Sequence, residues 1–248
     1  MLVIVAGMPG TGKTHFIMYS MMAALKGGVN LFLRRRYRTT YDVRANFATF
    51  ICHSPRMKID RTGLATYMAS CKCPGAQPGG TLDPLKLVDD AHEFPDYQFI
   101  ALHEMGMWCD SRLTASLTGY MKKRRLLLTY LNNQRRKAHL DMFVDTQFTG
   151  QLDNRLREYP DYLVRCRNFG EDPEHDELVP MIEVWDHPDT TRYLPEPSYT
   201  YSPVWFLNNH KFYQKYLSLM TFYNTWEKPP WRTEVEEADR VAELEVKT

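Results

Sequence analysis

The chain has 248 residues with 31 basic and 30 acidic side chains, so its formal net charge is +1. A hydrophobic share of 44% and a charged share of 25% are ordinary for a globular protein and exclude global disorder. The near-neutral total gives no sign of a polyanionic partner, so any basic surface must be local. Five cysteines without regular spacing exclude a secreted disulfide framework and favour a reducing, intracellular compartment.

The first predicted elements are a strand and a helix joined by a glycine-rich turn. The apolar run 2–6 is typical of a strand buried on both faces and lacks the features of a signal peptide. A helix is predicted from Lys13 to Lys26, because two glycines follow it. Residues 29–33 predict a second buried strand, which is followed by the basic run Arg34 to Arg38.

The rest of the chain predicts an irregular insertion and then a return to regular structure. Residues 52–97 are rich in Cys, Pro and Gly and indicate an insertion instead of a second domain. After it we expect helices at 118–139 and 150–159, and strands at 98–102, 140–145, 161–167 and 181–185, the last of them an antiparallel edge strand. Strands that alternate with helices indicate an α/β protein with a mainly parallel central sheet flanked by helices.

Three parts of the chain differ in composition. Residues 1–194 carry the alternating pattern and are expected to form one domain. Residues 195–232 are rich in aromatic side chains and predict a C-terminal arm that packs on the domain or on a neighbouring subunit. Residues 233–248 hold six acidic and two basic residues, a net charge of −4, and predict an acidic tail.

The strongest motif follows the first strand and matches G-x-x-x-x-G-K-[ST] in the strand–turn–helix context that this pattern requires. Glycines let backbone N–H groups surround a phosphate, and the helix that follows adds the positive end of its dipole. Lys13 is expected to reach the β- and γ-phosphates and the Thr14 hydroxyl to ligate Mg²⁺. The prediction is therefore a nucleotide site for ATP with Mg²⁺, formed by Gly7, Met8, Pro9, Gly10, Thr11, Gly12, Lys13, Thr14 and His15.

The strand 99–104 is similar to a Walker B strand, which usually ends in Asp and Glu, but here the ending is His103 and Glu104. Glu104 is the candidate general base for an attacking water. His103 stands at the position of the usual Asp, where a neutral imidazole could hold a magnesium-bound water without supplying negative charge. Either Mg²⁺ binding is weaker than usual or another carboxylate contributes. The alternative is that 99–104 is simply a core strand.

Three further polar residues are candidates for catalytic roles. Gln147 follows the strand 140–145 and could sense the γ-phosphate, because an amide both donates and accepts hydrogen bonds. Arg155 and Arg157 lie on different faces of a helix, so one can pair locally while the other projects toward a neighbouring subunit and stabilises transition-state charge. The alternatives are a strand-end cap for Gln147 and surface salt bridges for the arginines.

In the order of its motifs, the sequence resembles the zonula-occludens-toxin-like ATPases, the group that contains the filamentous-phage assembly ATPase. The resemblance covers residues 1–190 and rests on the phosphate loop 7–14, on Glu104, Gly106 and Trp108 followed by Ser111 and Arg112, on a basic helix, on Gln147 and on 155–157. It extends to the FtsK/HerA branch of P-loop motors, which includes viral genome-packaging ATPases.

This resemblance implies a RecA-like core of the ASCE type in a ring, often hexameric, with ATP sites between subunits. It implies that Glu104 is the catalytic glutamate, that Gln147 is the sensor, and that Arg155 or Arg157 acts in the neighbouring site. His103 departs from the pattern of the group. A second departure is that phage assembly ATPases continue into a transmembrane helix, whereas this sequence contains none, which favours a soluble motor.

The predicted helix 118–139 carries a block of basic residues with no acidic residue among them: Lys122, Lys123, Arg124, Arg125, Arg135, Arg136 and Lys137. Arg124 and Arg135 are about three turns apart and so share a face. The functional interpretation is a basic stripe that contacts the phosphates of double-stranded DNA, and the alternative is a solvated helix face. The run Arg34 to Arg38 is a second candidate. The net charge of +1 therefore conceals an uneven distribution, in which basic residues concentrate at 34–38 and 122–137 and acidic residues in the tail.

A zinc site is a weaker candidate in the insertion. Cys52, His53, Cys71 and Cys73 are potential ligands, but their spacing fits no standard zinc motif. Reduced surface thiols are the favoured interpretation.

Together these features predict an ATP-hydrolysing ring motor that translocates or packages viral double-stranded DNA during virion assembly. Its partners would be copies of itself, DNA and a virion or procapsid protein, in the cytoplasm of an infected host cell or at a virion or membrane assembly site. One alternative is a morphogenesis or extrusion ATPase without a DNA-binding surface of its own. Others are a P-loop small-molecule kinase, in which Arg34 to Arg38 imitate part of a lid, and a nucleotide-gated scaffold in which His103 makes hydrolysis negligible.

Overall fold

The structure is a computed structural model that describes residues 1–45, 48–49, 97–105, 139–152, 154–158, 160–172, 177–189, 194–219 and 223–224. Of the predicted insertion 52–97 and the predicted helix 118–139, all but residues 97 and 139 lie outside these ranges, as does the tail 233–248. Within the described part of the chain, no helix is long and apolar enough to cross a membrane.

A seven-stranded sheet forms the centre of the protein. In chain order its strands are β1 (Leu2–Ala6), β4 (Asp42–Ala45), β6 (Gln98–Leu102), β7 (Asp141–Thr146), β8 (Tyr162–Asp172), β9 (Glu177–Asp186) and β10 (Tyr199–Tyr201). Their order in the sheet is β10-β9-β8-β1-β7-β6-β4. The five strands from β8 to β4 are parallel, and β9 and β10 extend the sheet with antiparallel pairing. Two short pairs stand apart, β2 (Val29–Asn30) with β3 (Arg35–Arg36) and β5 (Ala48–Thr49) with β11 (Tyr223–Asn224).

The strand order confirms the predicted fold class, a RecA-like α/β fold with a mainly parallel sheet. β7 lies between β1, which precedes the glycine-rich turn, and β6, which precedes Glu104. All residues of β1, β6 and β7 are buried, as expected for strands covered on both faces. Successive residues point to opposite faces, so Val3 and Val5 belong to one core cluster and Leu2 and Ile4 to the other.

Four helices are described, and they cover both faces of the sheet. Helix α1 (Lys13–Leu25) packs on one face, and Gly27 at φ 60° follows its end. The short helix α2 (Asn154–Arg157) contributes Leu156 to the opposite cluster. Helices α3 (Pro203–Asn208) and α4 (His210–Leu217) belong to the C-terminal arm and lie on the same face as α1.

Three of the predicted elements differ from the structure. The predicted strand 29–33 is wrong: only Val29–Asn30 is extended, it pairs outside the main sheet, and Asp42–Ala45 takes the place next to β6. The strand predicted at 181–185 is antiparallel as expected, but the edge position belongs to β10, which pairs with it. The helix predicted at 150–159 is a 3₁₀ turn at Thr149–Gln151 followed by α2.

An aromatic cluster joins the arm to α1 and to the turn after β2, and Phe32 is at its centre. The Phe32 side chain is fully buried, and its ring lies within about 6 Å, centroid to centroid, of seven other rings, a range typical of favourable aromatic pairs. Its partners are Phe16 and Tyr19 of α1 and, from the arm, Tyr201, Trp205, Phe206, Phe212 and Tyr216. The Tyr201 hydroxyl also donates to the Leu31 carbonyl over 2.9 Å. The described part of the arm therefore packs on its own domain.

Replacing Phe32 by alanine should lower the free energy of unfolding by about 3–5 kcal/mol, because it leaves a cavity among buried rings. Urea denaturation followed by tyrosine and tryptophan fluorescence measures this loss. The neighbouring Leu31 is 43% exposed, so Leu31→Ala should change stability by no more than about 0.5 kcal/mol. Equal effects of the two substitutions would contradict the central position of Phe32.

Candidate active site

The candidate catalytic segments follow three neighbouring strands at one edge of the sheet. Ala6 pairs with Thr146, so β1 and β7 end level, and Leu102 pairs with Val144, so β6 ends two residues earlier at the same edge. The Gly7 N–H donates to the Thr146 carbonyl over 3.2 Å, which joins the start of the glycine-rich turn to the end of β7. The register thus brings together three segments that are far apart in sequence: 7–14, 103–104 and 145–147.

The turn 7–12 has the backbone conformation of a phosphate loop. Gly10 and Gly12 have φ values of 76° and 85°, which glycine adopts without the strain that a side chain would add. A Cβ atom on Gly7 would lie 2.5 Å from the Cys166 carbonyl oxygen and 2.6 Å from Thr11 Oγ1, so this position has no room for a side chain. The loop is therefore shaped by its glycines, as the motif predicts.

The side chain of Lys13 lies inside the loop. Its Nζ donates to the carbonyls of Gly7 and Met8 over 2.8 and 3.1 Å, and the residue is 8% exposed. Thr14 follows on the first turn of α1 and is also buried. An ammonium group, unpaired N–H groups at a helix start and a hydroxyl form the donor set that a phosphate needs.

Asn168 is a residue of this site that the sequence analysis missed. It lies on β8 beyond Arg165, the last residue of β8 that pairs with β1, and its Nδ2 donates to the Gly10 carbonyl over 2.7 Å. This bond holds the outer part of the loop from the neighbouring strand. An asparagine in a long strand has no sequence signal that distinguishes it from a surface residue.

Asp145 is the second residue that was missed, and it explains the departure at His103. The carboxylate is fully buried, and its Oδ2 lies 2.5 Å from His103 Nδ1. Its Oδ1 accepts a hydrogen bond of 2.5 Å from the backbone N–H of Glu104, which has a φ of 54°. The negative charge that β6 lacks is thus supplied by β7. An acidic residue inside an apolar strand is a detectable signal, because a buried charge is costly unless it is paired.

The pair also determines the charge of the histidine. Burial by itself disfavours the imidazolium, but the hydrogen bond and the charge of Asp145, with a smaller contribution from Glu104, outweigh burial and raise the pKa of His103 above its ordinary value. When His103 is protonated, its Nδ1–H donates to Asp145. The side chain of Glu104 is 39% exposed, and its Oε1 lies 3.9 Å from His103 Nε2.

The donor set fits a magnesium ion that is bound together with a nucleotide. Mg²⁺ prefers oxygen ligands and in nucleotide sites usually takes one or two carboxylates together with phosphate oxygens and water. The Thr14 hydroxyl is an oxygen donor of this type, whereas Asp145 is fully buried and both of its carboxylate oxygens are engaged by His103 and by the Glu104 N–H. His103 contacts Asp145 through Nδ1, so its role toward a metal would be through water.

Gln147 and the two candidate arginines lie after β7. The side chain of Gln147 is exposed at the edge where the phosphate loop begins, whereas Thr146 is buried and its hydroxyl donates to the Phe148 carbonyl over 3.0 Å. Arg157 donates through Nε to Asn154 Oδ1 over 3.0 Å, within its own helix. Arg155 lies on the same short helix, α2.

His15, the last member of the predicted nucleotide set, directs its side chain to the arm. Its Nε2 contacts the Tyr216 carbonyl, its ring lies 4.3 Å from the Tyr216 ring, and the residue is 3% exposed. Burial lowers the pKa of His15 to about 4, so the ring is neutral near pH 7. A nucleotide would therefore contact His15 through its backbone N–H and not through its side chain. Met8 and Pro9 form the exposed part of the loop.

Several predicted site residues lie outside the described residues. They include the basic block from Lys122 to Lys137, the Gly106–Arg112 motif, and the candidate zinc ligands Cys52, His53, Cys71 and Cys73. Their predicted roles stay predictions.

The strand order and the phosphate loop together define a P-loop NTPase with a RecA-like core. β7 separates the strand before the loop from the strand before Glu104, and the loop carries the lysine and threonine that bind phosphate and Mg²⁺ in this class.

No protein-family model and no curated protein matches the sequence. Among solved structures, the chain is similar to the N-terminal domain of zonular occludens toxin from Neisseria meningitidis, with 17% identity, a TM-score of 0.43, and 79% of this chain and 93% of that chain covered. It is also similar to the genome-packaging NTPase of Sulfolobus turreted icosahedral virus 2, with 11% identity, a TM-score of 0.42, and 78% and 94% covered. A KaiC-like protein from Pyrococcus horikoshii has 14% identity, a TM-score of 0.35, and 79% and 83% covered. The first two proteins belong to the zonula-occludens-toxin-like and genome-packaging groups that the sequence motifs resemble. The fold assignment itself rests on the strand order.

Substituting Gly7 by alanine should abolish nucleotide binding, because the new Cβ would displace either Thr11 or the β8 backbone at Cys166. Titration with a fluorescent ATP analogue measures the loss. Gly28→Ala is the matched control: the Cβ would meet its nearest atom, the Ala23 carbonyl oxygen, at 3.5 Å, which is ordinary contact. Unchanged binding in the Gly7 variant would contradict the loop geometry.

Replacing Asp145 by asparagine should lower the pKa of His103, which NMR titration of the nucleotide-free protein measures. A raised folded-state pKa means that the His103–Asp145 pair stabilises the fold below about pH 6.5, the unfolded value, and that this contribution is lost as the pH rises through the folded pKa. The stability difference between wild type and variant should therefore fall from pH 5.5 to 8.5.

Asp186→Asn serves as the control for this experiment. It removes an exposed carboxylate that lies 3.6 Å from His187 Nε2, so it should leave the pH dependence of stability unchanged. If Asp145→Asn behaves like Asp186→Asn, His103 and Asp145 are not an ion pair.

Proposed function

We propose that the chain is an ATP-hydrolysing ring motor of the FtsK/HerA class that translocates or packages viral double-stranded DNA during virion assembly. The observation that carries the ATPase part of the proposal is the strand register, which brings the phosphate loop with Lys13 to the same edge of the sheet as the segments after β6 and β7. In this proposal the Lys13 cation, the Glu104 carboxylate and the Gln147 amide act on one phosphate chain, and these are the groups that phosphoryl transfer to water needs.

The residues divide the chemistry as follows. Lys13 and the N–H groups of the loop and the start of α1 neutralise the β- and γ-phosphates. The exposed carboxylate of Glu104 accepts a proton from the attacking water, and the Gln147 amide holds that water or the γ-phosphate. Asp145 fixes the backbone of Glu104 through the Glu104 N–H, so the general base keeps its position. When bound, Mg²⁺ would neutralise charge on the phosphate oxygens, with the Thr14 hydroxyl as its protein ligand and His103 holding one of its water molecules.

Transition-state charge needs a further cation in this proposal. Arg157 is engaged with Asn154 of its own helix, in keeping with a local role. We infer that Arg155 is the better candidate to act in the site of a neighbouring subunit, because residues two apart on a helix point to different faces. This assignment requires a ring, in which each ATP site lies between two copies of the chain.

DNA binding is assigned to the basic block Lys122, Lys123, Arg124, Arg125, Arg135, Arg136 and Lys137. Seven basic residues without an acidic neighbour favour contact with phosphates and not with bases, as a translocating motor requires. A virion or procapsid protein is the proposed docking partner, and the cytoplasm of an infected host cell is the proposed location.

The kinase alternative is disfavoured by the position of two arginines. Arg35 pairs over 3.0 Å with Asp141, the first residue of β7, at the end of the sheet opposite to the phosphate loop. The Arg34 guanidinium lies over the Tyr199 ring of the arm at 3.8 Å. Both side chains are held in structural contacts, so Arg34 and Arg35 are not placed as lid residues over the nucleotide. An extrusion ATPase without its own DNA-binding surface remains the second candidate.

An ATPase assay with and without double-stranded DNA tests the proposal. The wild type should hydrolyse ATP faster when DNA is present. Glu104→Gln should bind ATP with unchanged affinity but hydrolyse it about 100-fold more slowly or worse, because the general base is lost. Lys13→Ala should lose binding, and Glu196→Gln, an exposed substitution in the arm, should behave as wild type.

The outcomes separate the alternatives. Wild-type turnover in Glu104→Gln would remove Glu104 from the mechanism. ATPase activity that DNA leaves unchanged would favour the extrusion ATPase, and turnover that depends on a small-molecule acceptor would favour the kinase. Neutralising Arg124, Arg125, Arg135 and Arg136 together should reduce the DNA stimulation and its salt dependence, and unchanged values would make the helix a solvated face.

A further inference from the structure

The last described helix of the arm, α4, lies against the first turn of α1, the helix that begins at the phosphate loop. His15 directly follows Lys13 and Thr14, and its Nε2 contacts the backbone carbonyl of Tyr216 in α4. A carbonyl oxygen can only accept, so Nε2 must carry the proton and the His15 ring is held in one tautomer. The two groups are 201 residues apart in the chain and are buried together.

Contacts other than the one between His15 and Tyr216 also hold the arm on the domain. β10 pairs with β9 at the edge of the main sheet, and the Tyr201 hydroxyl donates to the Leu31 carbonyl. The rings of Phe212 and Tyr216 pack against Phe32. These contacts dock the arm on the domain, and the contact through His15 connects the docked arm to the residues predicted to bind phosphate.

The position of His15 on α1 gives this contact its importance. The first N–H groups of a helix have no partner within the helix, and in α1 they directly follow the phosphate loop, because the helix begins at Lys13. A shift or fraying of this turn would move Lys13, Thr14 and those N–H groups together. Because a buried N–H donor without an acceptor is costly, the His15 ring favours the arrangement in which Tyr216 is docked.

We propose that His15 is a positioning residue that couples docking of the arm to nucleotide binding. The docked arm holds the first turn of α1 in the geometry that binds phosphate, and a bound nucleotide in turn stabilises the docked arm. Such coupling is reciprocal, so each event must strengthen the other by the same factor. The inference rests on the proposed nucleotide site. In it, the His15 side chain contacts Tyr216 and not the nucleotide.

The test compares three substitutions on α1 in the full chain. His15→Leu removes the donor at similar volume, and His15→Gln keeps an N–H donor. Tyr19→Phe is the matched control, because it removes a hydroxyl that contacts the Val29 carbonyl one turn further on while it keeps the ring contacts with Phe212 and Tyr216. Binding of fluorescent ADP and the KM and kcat for ATP are measured for each variant.

His15→Leu should weaken ADP binding by about fivefold, the effect of one net hydrogen bond, and raise the KM for ATP by a similar factor with kcat within about twofold. His15→Gln and Tyr19→Phe should both stay near wild type. Loss of binding in Tyr19→Phe as large as in His15→Leu, or equal binding in His15→Leu and wild type, would overturn the proposal.

Hydrogen exchange gives a second readout that activity cannot mimic. In the wild type, saturating ADP should slow hydrogen exchange of the backbone N–H groups of α4. The slowing should be about as large as the loss of ADP affinity in His15→Leu, and it should be absent in that variant. Wild-type exchange of α4 that ADP leaves unchanged would overturn the coupling, even if His15→Leu does not fold. A wild type that binds no ADP at all would instead refute the nucleotide site on which the inference rests.

Discussion

The site depends on one constraint, the parallel pairing of β7 with β1 on one side and β6 on the other. Parallel strands end at the same edge, and neighbouring strands are about 4.8 Å apart, so groups at the ends of three adjacent strands lie within about 10 Å of each other. That width matches a triphosphate. The hydrogen bonds from Gly7 to Thr146 and from Glu104 to Asp145 join the three ends, which makes the site a property of the sheet and not of its loops alone.

The same pairing explains how the site tolerates a histidine at the position of the usual aspartate. A carboxylate near the end of β7 can lie beside the end of β6, because the two strands are neighbours and pair in parallel. Asp145 is buried and would be costly without partners, and His103 and the Glu104 N–H provide them. The carboxylate therefore comes from β7 instead of β6, and it is paired with the histidine that takes the usual place of the aspartate.

The fold was predictable where local patterns are strong. The apolar runs of β1, β6 and β7 and the glycines around α1 are readable without tertiary information, and all of these elements are present. Residues 29–33 show where this fails: Phe32 is buried against the distant arm, whereas Val29 and Leu31 are exposed. An apolar run therefore does not distinguish a sheet strand from a turn that another segment covers. The true sheet strand Asp42–Ala45 carries Asp42 and Arg44 and offers little apolar signal. In the site, the phosphate loop is local and predictable, while Asp145 and Asn168 contact residues 42 and 158 positions away, which no local pattern encodes.

The strand beneath the phosphate loop carries a thiol whose chemistry follows from its place. Cys166 is 2% exposed, and its backbone carbonyl fills the space where a side chain on Gly7 would be. Burial raises the pKa of the Cys166 thiol to about 12, so near neutral pH it is an uncharged thiol and a poor nucleophile as long as β8 stays in place. Alkylation of this cysteine therefore requires the packing around β8 to open. The protein contains its own chemical reporter of opening in the core next to the phosphate loop, and the rate at which Cys166 is alkylated reports on that opening.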